Sequence, residues 1–393
     1  MLAPLSEIYG RRIVFGCANW WFVVWQIGCA LAPNRASLIV FRLLTGVGGV
    51  GPVTIGAGVI ADLFPVEKRG LAASIWGSGA LIGPVIGPLC GGFIGESIGW
   101  RWVFWILMIA CGAFSSAVLC FNRETYAPVL LQRKTARVAK ETGRTDLRSA
   151  YDADNEAGTR PSSFRLEVIK MGVKRPALLF FKSPIVFLLA TYLALVYGLL
   201  YLFFTTVSSV FQQQYGFSVG LSGLVYLGIG IGFFTGLAVV ASSSDKVVVK
   251  LTARNNGKHE PEMRLPSLIF FACVLPIGLF WYGWTADKQV HFIVPIIAMF
   301  PFGFGLMGIH LLIQTYLIDC YPAHAASANA TLVVARSMLG ALLPLAGPRM
   351  FESLGLGWGN SLLGFLALAF VPAPIFFSRY GKVIRERFPV NLS

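Results

Sequence analysis

The chain has 393 residues, 56% of them hydrophobic and 13% charged, with a formal net charge of +14 and a mean hydropathy of +0.69. A water-soluble domain carries about 25% charged residues, so this composition excludes one. The basic excess alone fits nucleic acid as well as a membrane surface, and only the location of the charges separates the two.

The chain opens MLAPLSEIYGRR, polar and charged, without the apolar core of a cleavable signal peptide. Gly10 predicts a tight turn into a helix, with Glu7, Arg11 and Arg12 beside the membrane surface. Ten apolar blocks follow, at about 13–33, 36–61, 71–95, 101–121, 184–211, 221–243, 265–286, 290–318, 325–347 and 357–378. Each reaches the ~20 residues that cross a bilayer core. The expected fold class is therefore an all-α polytopic membrane protein.

Asp62, at the end of the second block, lies within reach of Arg11. An ion pair there latches helices in one state and frees them in another; the alternative is that Arg11 and Arg12 only anchor topology. Arg42 lies inside the second block, where an arginine costs about 3 kcal/mol and needs a partner or water. It either serves a proton carrier or an anionic group, or it bonds to carbonyls. Lys68 and Arg69 precede the third block, which contains the stretch Gly79-Ala-Leu-Ile-Gly83-Pro84-Val-Ile-Gly87-Pro88-Leu-Cys-Gly91-Gly92. Glycine and proline break helices in water, yet glycine here recurs every fourth residue, a helical beat. In lipid the helix persists, and small residues at that spacing make a ridge for close packing.

Residues 122–183 are rich in charge and in Ser, Thr, Gly and Asp, which predicts a linker containing a short amphipathic helix. It divides a first bundle, 1–121, from a second, 184–378, which is followed by the tail 379–393. On the fifth block Tyr197, Tyr201, Thr205 and Ser208 fall near one face. That stripe lines a cavity for an amphipathic solute or bonds helix to helix. His310 and Gln314 share a face of the eighth block, and Arg336 lies within the ninth. The seven cysteines show no C-x-x-C spacing and read as packing residues, with no metal or cofactor site.

With the N-terminus and every second connection on one side, that side holds 26 of the 32 Lys and Arg. The other side holds four, and Arg42 and Arg336 lie inside spans. This asymmetry is the positive-inside pattern, so both termini and the 122–183 loop are expected to be cytoplasmic. The charge marks topology, not a nucleic-acid surface.

Two stretches about 256 residues apart resemble each other. Asp62-Leu-Phe-Pro65, LAAS, and Glu96-Ser-Ile-Gly-Trp100 match Asp319-Cys-Tyr-Pro322, HAAS, and Glu352-Ser-Leu-Gly-Leu-Gly-Trp358. Repeated helical halves are usual in secondary transporters. Four blocks precede Asp319 within its half and two precede Asp62, so the expectation is that the first half lacks two helices and the chain is truncated.

Pro4-Leu-Ser-Glu7-Ile-Tyr-Gly10-Arg11-Arg12 resembles the loop signature of the major facilitator superfamily, in the form found in fungal multidrug:proton antiporters. Ala3 and Glu7 stand where that signature has glycine and aspartate. Leu38-x3-Arg42-x3-Gly46 resembles the family's arginine motif, and Gly83, Pro84, Gly87, Pro88, Gly91 and Gly92 match its antiporter motif. The stretches starting at Glu124, Tyr197, Pro261 and Pro276 are also family-like, so the resemblance covers nearly the whole chain. It implies a twelve-helix major facilitator fold with about ten helices present. It places Glu7, Gly10, Arg11, Arg12, Asp62 and Arg69 in a conformational latch, and Arg42 and its candidate pseudo-symmetric relative Arg336 in transport or proton coupling.

The expected activity is secondary active efflux of small amphipathic molecules, driven by the proton gradient with no other cofactor. The expected partners are the lipid bilayer, the solute and the proton, with the chain a monomer in the plasma membrane. The alternative is a truncated relative that inserts without transporting. The chain is not expected to be an enzyme: no H-E-x-x-H motif occurs in it.

Overall fold

Lipid offers a backbone no water to bond, so each apolar block must close its hydrogen bonds within itself. The computed structural model follows that rule: among the described residues every regular element is a helix. It describes residues 2–64, 66–143, 147, 172, 174–258, 260–321 and 325–388, without the side chains of 3, 4, 7, 57, 61, 66–78, 80, 81, 325 and 326.

Eight helices among the described residues are long and apolar enough to cross a membrane. The third expected block falls on the helix Val66–Ser97, much of whose side-chain set is not described. The ninth and tenth blocks share one stretch of 61 residues, 327–387. That stretch is broken at Gly355, whose φ of 74° and ψ of 173° interrupt the helix Ala325–Phe370. A side chain rarely adopts such a φ, so glycine sets where one span ends and the next begins.

The chain divides into two compact units, 1–80 with 94–173 and 81–93 with 174–393. The stretch 81–93, expected within the first bundle, thus groups with the second unit. In the first unit the helix Arg11–Ala30 packs on Arg35–Leu63 and on Trp100–Phe121. Its small core holds Cys29, Ala30 and Phe104 under Leu38, Phe41 and Trp105. Asn34 caps the helix Arg35–Leu63 by accepting from the Ser37 N–H at 2.8 Å, while Ser37 Oγ accepts from the Asn34 N–H. Beyond the span, the helix Ala127–Thr142 carries an exposed Arg137–Glu141 pair one turn apart.

In the second unit Pro184–Tyr215 packs on Ala325–Phe370, and Ile293–Cys320 packs on both Leu227–Arg254 and Leu265–Asp287. Glycine allows the last contact: a Cβ built on Gly305 falls 2.7 Å from Leu275 Cβ, and one on Gly278 falls 2.6 Å from the Phe302 nitrogen. Around these crossings Phe203 stacks on Phe302 at 4.6 Å and Tyr192 on Phe370 at 5.5 Å.

The fourfold glycine series packs differently from its expectation. A Cβ on Gly79, Gly83, Gly87 or Gly91 would meet nothing within 4 Å among the described residues. Close approach occurs instead on the neighbouring face, where Gly92 faces the Val219 carbonyl and the Pro88 carbonyl faces Gly223. The reason is rotational. Residues four apart share one stripe of a helix, and Pro88 and Gly92 lie one position round from Gly87 and Gly91.

Candidate functional site

The loop before the first span is built around Gly10. Its φ of 99° and ψ of 150° suit glycine, and a Cβ there would collide with the Glu124 carboxylate. The missing side chain lets Glu124 reach the start of the helix Arg11–Ala30. Glu124 Oε1 accepts from the Arg11 N–H at 2.8 Å and Oε2 from the Arg12 N–H at 3.3 Å. A carboxylate on the free N–H groups of a helix start is favoured by both hydrogen bonding and the helix dipole.

With its backbone held, Arg11 turns its side chain inward. Its Nε donates to Asp62 Oδ2 at 3.1 Å, its Nη1 donates to Ser6 Oγ at 2.6 Å, and its guanidinium lies 4.9 Å over the Tyr126 ring. The Arg11 side chain is 9% exposed and that of Asp62 19%, so solvent screens the pair weakly. Arg12 points elsewhere. Its Nη2 donates to the Leu119 carbonyl at 2.9 Å, one of the unpaired carbonyls ending Trp100–Phe121. The side chains of Glu7 and Arg69 lie outside the described residues.

The second unit contains a related construction. Arg264 closes the short 3-10 turn Pro261–Arg264 and donates through Nε to Asp319 Oδ2. Its Nη1 donates to Asp245 Oδ1 at 3.3 Å and to Ser244 Oγ at 3.4 Å. Asp319 is the residue that matches Asp62 in the internal repeat. The turn is held from the tail: Lys382 Nζ donates to Glu260 Oε1 at 2.8 Å, and Arg385 Nη2 lies 3.3 Å from Glu262 Oε1. The hydrogen bond from Lys382 holds the Glu260 carboxyl below its usual range, and the same contact raises the Lys382 ammonium.

Sequence reasoning did not assign roles to Glu124, Asp245, Arg264, Lys382 and Arg385. One signal was available for Arg264: once Asp319 is matched to Asp62, the loop ahead of it should hold a basic partner. Glu124 carried no such signal, because its 113-residue separation from Arg11 is closed only by the fold.

The two intramembrane arginines each face an aromatic ring. Arg42 lies 4.7 Å over Phe104, and Arg336 lies 4.7 Å over Tyr197 while its Nη1 donates to Tyr197 Oη at 3.1 Å. Tyr197 also meets the His310 ring edge-on at 5.4 Å. One turn along, Gln314 Nε2 donates to Asn329 Oδ1 at 3.1 Å. Thus Tyr197, His310 and Arg336 come together from three helices. Tyr201 instead lies over Gly340, and Thr205 turns its hydroxyl back to the carbonyls of Tyr201 and Leu202. Ser208 pairs with the Tyr226 hydroxyl at 3.1 Å.

A sequence profile of the Major Facilitator Superfamily matches residues 1–344. The chain is 50% identical to the MFS-type transporter penM of Penicillium rubens, over 98% of this chain and 74% of that protein. It is 48% identical to the MFS transporter cpaT of Aspergillus oryzae, over 100% of this chain and 78% of that protein. It is also 41% identical to the efflux pump radE of Floropilus chiversii, over 100% and 72%. Among solved structures, the xylose transporter XylE of E. coli, in a partly occluded inward-open conformation, shares the fold with a TM-score of 0.63. That match has 18% identity over 96% of this chain and 83% of that one. The chain is a multi-pass membrane protein that belongs to the Major Facilitator Superfamily.

Proposed function

We propose that the protein is a proton-coupled exporter of small amphipathic molecules that works by alternating rocking of two helical bundles. The observation that carries this reading is the pair of related ion pairs, Arg11–Asp62 in one unit and Arg264–Asp319 in the other. Such a pair gives up its attraction when the helices bearing it separate and regains it when they return, so it biases a two-state element.

On this reading 1–121 and 184–378 are the two bundles. The loop 122–183, the tail 379–393 and both latches lie, on the same reading, at the cytoplasmic face, a side supported by the positive-inside pattern, and the membrane is the plasma membrane. Arg42 tunes the proton carrier, and the stretch 79–92 acts as a pivot. The protein works as a monomer in the bilayer, with solute and proton as its small partners and no cofactor. Export as the direction is supported by a 41% identical relative described as an efflux pump.

The test is gradient-driven accumulation of two fluorescent amphipaths, pyrenebutyrate and pyrenebutyramide, in proteoliposomes against protein-free liposomes. Accumulation of at least one should require the pH gradient, vanish with a protonophore, and fall about tenfold or more in an Arg11→Ala, Arg264→Ala variant, a loss of about 1.4 kcal/mol. Accumulation that survives collapse of the gradient would remove proton coupling. Full activity in the double variant would remove the latches.

A further inference from the structure

Arg336 sits eleven residues into the helix Ala325–Phe370, ~16 Å along its axis, near the middle of a ~30 Å hydrocarbon core. An arginine carries five N–H donors. The Tyr197 hydroxyl accepts from Nη1, and the Tyr197 ring faces the guanidinium. Both partners are neutral. No aspartate or glutamate forms an ion pair with Arg336 among the described residues.

Most carboxylates of the second unit are committed elsewhere. Asp245 and Asp319 hold Arg264, Glu260 and Glu262 hold the tail, and Asp287 holds Lys288. The mid-membrane cluster therefore carries an unneutralised positive charge. A cation at that depth costs about 3 kcal/mol, and a desolvated ring contact returns about 2 kcal/mol. The balance favours an anion arriving from outside the cluster.

The rest of the cluster suits an organic anion better than a bare ion. The guanidinium fork matches a carboxylate in plane and spacing. Tyr197 offers an aromatic wall, and the half-exposed Tyr201 lies one turn further along the same helix. His310 Nδ1 is buried without a hydrogen-bond partner among the described residues.

We propose that Arg336, with Tyr197 and His310, is the recognition point for an acidic group on the solute, so that the protein carries amphipathic organic acids, bound as carboxylates. This rests on the transporter reading above and names the solute class within it.

The test is equilibrium binding, with no gradient, of pyrenebutyrate and the uncharged pyrenebutyramide to the protein in zwitterionic nanodiscs. The acid should bind about tenfold more tightly than the amide, the size expected of one charge-assisted contact. Arg336→Gln should erase the difference by weakening binding of the acid about tenfold, and Arg336→Lys should keep part of it. Monodispersity and thermal midpoint confirm that each variant is folded. Equal binding of acid and amide, no binding of the acid, or a preference that persists in Arg336→Gln overturns the proposal. So does loss of the preference when chloride replaces gluconate, which would mark an inorganic-anion site. Transport is read separately: a protein that accumulates the amide without preferring the acid leaves the transporter standing and the acid site refuted. An acid preference without any gradient-driven accumulation does the reverse.

Discussion

Arg264 meets Asp319 in the second unit as Arg11 meets Asp62 in the first, although the loops around them share little sequence. Both arginines project from a turn beside a span, and both aspartates stand in the D-x-[FY]-P element of the repeat. The supports differ in sign. Glu124 holds the first turn by accepting from its backbone, whereas Lys382 and Arg385 hold the second by grasping its carboxylates.

Each latch should therefore be separable by a double-mutant cycle. Arg11→Ala, Asp62→Ala and the double variant should give a coupling of about 1–3 kcal/mol, because a hydrogen bond to a charged partner in a weakly screened site is worth that much. The same cycle at Arg264 and Asp319 should behave alike. Thermal unfolding in detergent measures both, and additive single effects would show that the pairs are structural coincidences.

Gly10→Ala should destabilise the first unit by about 1–3 kcal/mol, the cost of a side chain in this extended, positive-φ backbone region. The displaced Glu124 cap adds to that cost. Glu124→Gln keeps a carbonyl acceptor and should cost less than Glu124→Ala. Equal costs for the two variants would mean that Glu124 acts through charge alone.

Gly305→Leu should abolish recovery of monodisperse protein, since overpacking costs about 1–3 kcal/mol and here the obstacle is the Leu275 Cβ at 2.7 Å. Gly87→Ala should leave stability unchanged or slightly raised, because its Cβ meets nothing within 4 Å. Loss of transport in a stable Gly87→Ala protein would then report a mechanical role for the motif. Loss of folding would contradict the open space seen there.

The tail contact should weaken in acid. Glu260 is held below the ordinary carboxylate range, so its contribution is present above that range and disappears as pH falls through the depressed value. Lys382 is raised, so its share persists until pH climbs through the raised value. Hydrogen-exchange protection of residues 379–387, taken relative to the intrinsic exchange rate at each pH, should be greatest around neutral pH and fall on acidification. A flat profile would show that the tail docks by its apolar residues, such as the buried Phe377.

The apolar blocks were legible because the bilayer imposes one rule, about twenty oily residues per crossing, that needs no knowledge of neighbours. The internal repeat was legible too, and it pointed to Asp319 before Arg264 was placed. The ring of contacts around each charge was not readable. Glu124 lies 113 residues from Arg11, and Arg336 lies 139 from Tyr197. Periodicity orders residues along one helix and is silent about which face of another helix it meets. The glycine series shows the same boundary: its spacing announced a helix with a smooth stripe, while the face used for packing was settled at Gly92 and Pro88 by helix rotation. The sequence alone determined the solvent and the helical nature of the apolar blocks, since both depend on local composition. Partners for the buried charges were decided by tertiary structure, because only packed helices fix which side chains lie within hydrogen-bond reach.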